Sequence, residues 1–404
     1  MNCEAIERSR RDTQLETRNY FPMVSFIKTP YLQWPTREAV TIMWETSSEA
    51  TGEVVFYETA RVHATGTGRF ESVVASARIV QETSSPRCVH VVTLDGLLSG
   101  TSYHYQVRSG NDRGEQCEST MCPFRTAPEA QTPFSFSVTS ETGGTCTDDY
   151  NREVFAQISR YRPDFLMMVG DAVCRGKNYD DWNRFFFEPG KQVLAQTPFY
   201  LVPGNHEENA AWYYDFTAFP EPKNYYAFRY GNTHFIGLDS TAIVPYKDGK
   251  PYLNEDDFGP GDPQHDFLIR ELSASDEATW KIVFFHYPPY VSADYQVEEM
   301  RILCPILEKY GVDVVFNSHT IAYERSHPLR NNELDLMSGI VYIVAGGAGS
   351  RPEWFHHARA WHTAHALAVP HMVQVTIAGT RLEMQAIDYE GHLFDQMIID
   401  KPTN

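Results

Sequence analysis

The sequence predicts two domains of different class, an all-β sandwich followed by an α/β domain. Three observations carry this. Apolar residues recur at period two across residues 23–126, an aperiodic segment with two prolines (APEAQTP, 127–133) follows, and beyond it strand-like runs alternate with helical periodicity. The expected division is a tail at 1–22, a sandwich at 23–128 and a larger domain at 132–404.

In the first half the short runs AVTIMWE (39–45), EVVFYE (53–58), CVHVVTL (88–94) and YHYQV (103–107) are separated by Gly and Ser turns. Such spacing reads as an antiparallel sandwich. The stretch LLSGTSYHYQV is similar to the fibronectin type III pattern, which implies that Tyr103 forms a tyrosine corner and that Trp44 lies in the core. This half holds no cluster of catalytic residue types, and it is expected to be a packing or substrate-gating module.

In the second half NREVFAQISRYR (151–162) places Val154, Phe155, Ile158 and Tyr161 on one helical face and is stopped by Pro163. The runs FSFSV, FLMMV, FYLV, KIVFF, VDVVF and VYIVA are almost wholly apolar, as strands covered on both faces must be. Ligands of α/β sheets gather in the loops at the carboxyl ends of strands. Those loops here are TSETGG (139–144), GDAVC (170–174), PGNHEE (203–208), HYPP (286–289) and NSHTIAYER (317–325). Five strand ends thus bring Glu141, Asp171, Asn205, His206, His286 and His319 to one edge. Carboxylate, amide oxygen and imidazole together suit Zn, Fe or Mn.

The chain has 404 residues and 53 Asp and Glu against 34 Lys and Arg, a net charge of −19. That excess repels phosphate backbones and anionic lipid, so neither nucleic acid nor a membrane surface is an expected partner. No apolar stretch reaches the roughly 18 residues of a membrane span, and the polar residues 1–20 contain no signal-peptide apolar core. The expectation is a cytoplasmic protein, or a secreted one if a leader has been trimmed away. Its seven cysteines, Cys3, Cys88, Cys117, Cys122, Cys146, Cys174 and Cys304, are odd in number and irregular in spacing, which reads as mostly reduced, buried residues without a disulfide framework, with a pairing or metal role for Cys117 and Cys122 the weaker alternative.

With these motifs in their order, the chain from about residue 25 to 399 resembles the purple acid phosphatase branch of the calcineurin-like metallophosphoesterases. The family's blocks are GDxG, GDxxY, GNH(E/D), VxxH and GHxHxYER. TPYLQWPTREAVTIMWET (29–46) is similar to the start of its N-terminal domain, and YIVAGGAGS (342–350) to its last sheet strand and glycine turn. The resemblance implies an αββα sandwich. It also implies a metal site formed by Asp171 as bridging carboxylate, Asn205, His286 and His319, with His206 contacting substrate oxygen and protonating the leaving group.

The other metal site of the family departs from its pattern. Its Asp is Glu141, its Tyr is Cys174, and its second His is Ile321, which has no donor atom. Glu141 could reach a metal through its longer stem, and Cys174 could bind as thiolate or lie buried. The segment 353–371 holds His356, His357, His362, His365 and His371 and reads as a solvated loop with helical character, although one of these could replace the lost ligand. Arg175 and Arg351 are candidate anchors for an anionic group. The resemblance therefore implies a metal-dependent hydrolase of a phosphate ester or related small anionic substrate, with one or two Fe, Zn or Mn ions. Two alternatives stand beside it: non-phosphatase chemistry in the same pocket, and a non-catalytic metal- or ligand-binding homologue. Oligomeric state is not legible.

Overall fold

The computed structural model describes residues 24–59, 61–64, 70–73, 78–82, 87–253, 258–353 and 359–402. The tail expected at 1–22, with Cys3, lies outside them. The chain divides into two compact units after Pro128, with Lys191–Pro198 grouped with the first.

In the first unit β1 (Phe26–Gln33) pairs antiparallel with β2 (Val40–Glu58). The early part of β2 also pairs with β3 (Arg87–Leu94), and after an irregularity between Glu45 and Ala50 its later part pairs with β4 (Ser102–Gly110), which pairs with β5 (Cys122–Arg125). One long strand thus serves two sheets by bending between them. Its alternate residues Val40, Ile42, Trp44, Val54 and Phe56 share a core with Val92, Leu94, Tyr105 and Phe124. Trp44 is fully buried, donates its Nε1–H to Ser109 Oγ at 2.9 Å and stacks on His90. Tyr103 accepts the Leu98 N–H at its hydroxyl at 2.9 Å, which is the corner the sequence implied.

Two sheets form the second unit. The first has the order β18–β17–β16–β6–β7–β8, with β6 Phe134–Thr139, β7 Phe165–Met168, β8 Phe199–Leu201, β16 His371–Ala378, β17 Arg381–Asp388 and β18 Leu393–Asp400. The second has the order β9–β10–β11–β12–β14–β13–β15. Its strands are β9 Tyr226–Tyr230, β10 Thr233–Gly237, β11 Trp280–Phe284, β12 Val314–Asn317, β13 Tyr323–Ser326, β14 Val341–Ala345 and β15 Thr363–Leu367. Strands β6, β7 and β8 are mutually parallel, as are β10, β11, β12 and β14.

Aromatic rings join the sheets. Phe235 lies edge-on to Phe136 and Phe165 at 5.3 and 5.4 Å, Phe316 meets Phe136 at 6.2 Å, and Phe228 meets Phe165 at 5.8 Å. Edge-to-face pairs at such distances add to the free energy of burying the rings. Outside the first sheet, helix α1 (Asn151–Tyr161) packs on β16 and buries Val154, Phe155 and Ile158. Tyr161, expected on that face, is 39% exposed, because the helix ends there as Arg162 turns left-handed before Pro163. Outside the second sheet, Leu268 and Leu272 of α2 (Pro263–Ser273) and Leu307 of α3 (Cys304–Lys309) join Val283, Val315 and Tyr342 in one core. Helix, sheet, sheet and helix form the αββα layering the resemblance implied. Among the described residues no helix is long and apolar enough to cross a membrane.

Candidate metal centre

The loop after β7 turns at Gly170 and Asp171, both left-handed at φ 94° and 53°. A Cβ on Gly170 would come within 2.6 Å of His286 Nδ1, and one on Gly204 within 2.2 Å of Asp171 Oδ1. Only glycine lets imidazole and carboxylate lie this close to the main chain. Glu141 and His319 are also left-handed, at φ 59° and 71°. Such backbone is unfavourable for side chains with a Cβ and gathers where the surroundings enforce it.

His286 is fully buried, and its Nδ1–H donates to the Val169 carbonyl at 2.8 Å. Its Nε2 then faces Asp171 Oδ2 at 3.2 Å and Asn205 Oδ1 at 3.1 Å. A neutral His286 would set three acceptors against one another, so this point calls for a positive charge, either a proton or a cation. The electrostatics agree. Burial works against a charge on His286, but Asp171 and Glu141 outweigh it and raise its pKa to about 9. Burial likewise pushes Asp171 up, yet His286, with His206 and His319, holds its carboxyl well below the usual range. Burial and the neighbouring His286 lower His319 to about 3, so it is neutral and able to ligate.

Asp171, His286 and His319 offer ligand atoms that all lie within 4.8 Å of one another, and Asn205 Oδ1 adjoins them. This donor set fits a borderline divalent or trivalent ion. His319 also has outer partners. Its Nε2 lies 3.1 Å from the Tyr246 hydroxyl, and the rings of Tyr287 and Tyr295 stand 4.6 and 5.4 Å away.

His206 is fixed beside the cluster. Its N–H donates to Asp171 Oδ1 at 2.9 Å and its Nδ1–H to the Cys174 carbonyl at 2.6 Å. Nε2 is left 3.9 Å from Asp171 Oδ2 on a side chain 27% exposed.

The remaining sequence candidates have other partners. Glu141 Oε1 accepts the Ser318 hydroxyl and the His319 N–H, the latter at 2.9 Å. Burial, and then the Asp171 charge, push its carboxyl well above the usual range. Cys174 is bonded to Cys146 in a disulfide, which corrects both the reduced-cysteine expectation and the thiolate-ligand reading, because a disulfide sulfur has no thiolate to offer. Cys88 is disulfide-bonded as well, whereas Cys117, Cys122 and Cys304 are free. Ile321 is buried. Arg175 and Arg351 have side chains 65% and 76% exposed and pair with Asp181 and Asp149 at 3.3 and 2.8 Å. His356 and His357 lie outside the described residues. His362, His365 and His371 do not join the ligand group, and the segment expected to have helical character contains strand β15 instead.

Sequence reasoning missed Glu207 and Tyr246. Glu207 Oε2 accepts the Gly204 and Asp171 N–H groups at 2.6 and 2.9 Å, and Oε1 that of Ala172 at 2.8 Å, tying the two loops together. Burial raises its pKa to about 7, with Asp171 adding to the effect. Glu three residues after a strand-end Gly is a readable capping signal. Tyr246 sits on a two-residue strand far from any motif, and no local signal marks it.

The family model described as the N-terminal domain of purple acid phosphatases matches residues 27–126, and that of the calcineurin-like phosphoesterases matches 136–323. Purple acid phosphatase 15 of Arabidopsis thaliana is 26% identical over 65% of this chain and 54% of its own. Purple acid phosphatase 18 of the same plant is 26% identical over 78% and 71%. The chain thus spans about half the length of the first of these and more of the second. A purple acid phosphatase from yellow lupin (Lupinus luteus) seeds superposes at TM-score 0.73 with 17% identity over 92% of this chain and 74% of its own. PhoD superposes at 0.67 with 13% identity over 96% and 94%. Residues 136–323 therefore form a calcineurin-like phosphoesterase domain by sequence match, and the fold agrees with that of the lupin enzyme. The domain before it matches the purple acid phosphatase N-terminal domain, and the relatives found are named purple acid phosphatases.

Proposed function

We propose that this protein is a metal-dependent hydrolase of a phosphate ester or related small anionic substrate, working with a single metal held by Asp171, Asn205, His286 and His319. The observation that carries this reading is the meeting of His286 Nε2, Asp171 Oδ2 and Asn205 Oδ1 around one point. The purple acid phosphatase names of the relatives support the substrate class. A bound Fe, Zn or Mn ion would supply Lewis acidity toward the ester and acidify water.

The chain's own residues do the rest. His286 is held in its ligating tautomer by Val169, and Glu207 fixes the Asp171 loop against the Asn205 loop. His206, with Nδ1–H spent on Cys174, has only Nε2 free, and a proton held there passes to the leaving oxygen as the ester bond breaks. Glu141, Cys174 and Ile321 supply no second ligand set, which favours one ion over two. The bonded Cys146, Cys174 and Cys88 favour an oxidising compartment over the cytoplasm.

Elemental analysis of protein purified without chelator is expected to give close to one metal per chain. Two full equivalents, or none after reconstitution, would overturn the single-ion reading. Across a panel of phosphomonoesters, phosphodiesters and non-phosphate esters, His206→Ala is expected to lower turnover about 100-fold at unchanged metal content. Turnover of the non-phosphate esters alone would replace the substrate class.

A further inference from the structure

The loops leaving β6 and β7 lie main chain on main chain. Thr142 Oγ1 donates to the Ala172 carbonyl at 2.8 Å, Gly143 N–H to the Asp171 carbonyl at 3.1 Å, and a Cβ on Gly143 would meet the Val173 carbonyl carbon at 2.1 Å. The Cys146–Cys174 bond joins these two loops across a Cα separation of 4.7 Å. Cys174 also supplies the carbonyl that accepts the His206 Nδ1–H, and two residues on, Gly176 N–H donates to the His206 carbonyl at 2.7 Å. His206 is therefore gripped at ring and main chain by the segment that the disulfide anchors.

We propose that the Cys146–Cys174 disulfide is a positioning device for His206, fixing the carbonyl that sets the imidazole's tautomer and aim. Glu141 and Cys174, at positions resembling first-site metal ligands, come from these same two loops. Glu141 has turned to Ser318 and His319, so the covalent bond supplies a cross-link where the family pattern has a shared ion. The Cys174 carbonyl can only accept, so it takes the Nδ1–H and leaves Nε2 as the ring nitrogen not spent on it. The inference rests on the acid role proposed for His206, and its test separates the two.

The test compares zinc-loaded parent, C146A/C174A, H206A and the triple variant. Nitrogen NMR of ring-labelled protein, with the His206 signals identified by their loss in H206A, is expected to give the Nδ1–H tautomer in the parent and an averaged pair in C146A/C174A. With 4-nitrophenyl phosphate as probe, C146A/C174A is expected to lower turnover about tenfold at unchanged zinc content, and to cause no further fall in the H206A background. An unchanged tautomer, or an equal fall in both backgrounds, overturns the positioning role in favour of a purely structural bond. If H206A turns over like the parent, the acid role falls and the ring-nitrogen spectra alone decide the positioning. Should C146A/C174A fail to fold, the parent reduced by a water-soluble phosphine takes its place in the same comparison, beside a Cys88→Ser control that carries the loss of the Cys88 bond alone.

Discussion

Asp171, Asn205, His286 and His319 lie in the same set of strand-end loops as Glu141, Cys174 and Ile321, yet the two groups behave differently. The first four turn their polar atoms toward one another. Each of the other three has taken a separate partner. Glu141 holds the His319 N–H, Cys174 is bonded to Cys146, and buried Ile321 donates its N–H to the Glu353 carboxylate and accepts the Glu353 N–H at its carbonyl. A substituted ligand position need not be an empty one. At these positions the groups brace their neighbours, Glu141 by holding the His319 N–H and Cys174 by accepting the His206 Nδ1–H at its carbonyl.

The sharpest way to break this contrast is His319→Ala, which is expected to lower metal affinity at least about 100-fold and to abolish turnover, read by metal content and activity on one sample. Retained metal would mean that the ion sits elsewhere. Ile321→His addresses the other half. Metal content is expected to stay near one, with stability falling by about 1–3 kcal/mol from burying an unpartnered imidazole, measured by urea unfolding. A second equivalent of metal would show that the altered half is one side chain away from binding.

Glu141 separates frame from ligand more finely. Glu141→Ala should cost about 1–3 kcal/mol by orphaning the buried His319 N–H, whereas Glu141→Gln, which keeps an acceptor oxygen there, should stay within about 1 kcal/mol of the parent at full metal content. Loss of metal in the Gln variant would restore Glu141 as a ligand.

The smallest effect concerns His371, one of the histidines considered as a substitute ligand. It is fully buried with Nδ1–H donated to the Val369 carbonyl, and burial lowers its pKa to about 4. The unfolded chain binds a proton there near pH 6.5 and the folded chain does not. Its contribution is therefore complete above that pH and is lost as pH falls toward 4. Between pH 7 and 5.5 the parent should lose about 1 kcal/mol more than His371→Gln, with metal content equal in both. A fall in metal content in the variant would make His371 a ligand after all.

What was legible in the sequence followed strand geometry. Strands covered on both faces leave continuous apolar runs, and their ends are where polar residues must find a purpose, so Asp171, Asn205, His206, His286 and His319 stood out one run at a time. The Cys146–Cys174 bond did not, because it depends on two loops from neighbouring strands meeting, and a separation of 28 residues carries no sign of that. Tyr246 was hidden for the same reason. Glu141 was seen but misdirected, since residue type says which atoms are offered and not which donor takes them. The C-terminal histidines looked like a helix-bearing loop, but His365 lies on β15, where pairing with β13 prevails over local pattern.

Asp171 and Asn205 hang from one sheet, and His286 and His319 from the other. The distance across which they meet is consequently set by what separates the sheets, the layer of Phe136, Phe165, Phe228, Phe235 and Phe316. Those rings work as a calliper for the donors. Thinning one of them would act on the ion without touching it, by letting the jaws close or tilt. The apolar interior in that sense sets the gauge of the strand-end loops.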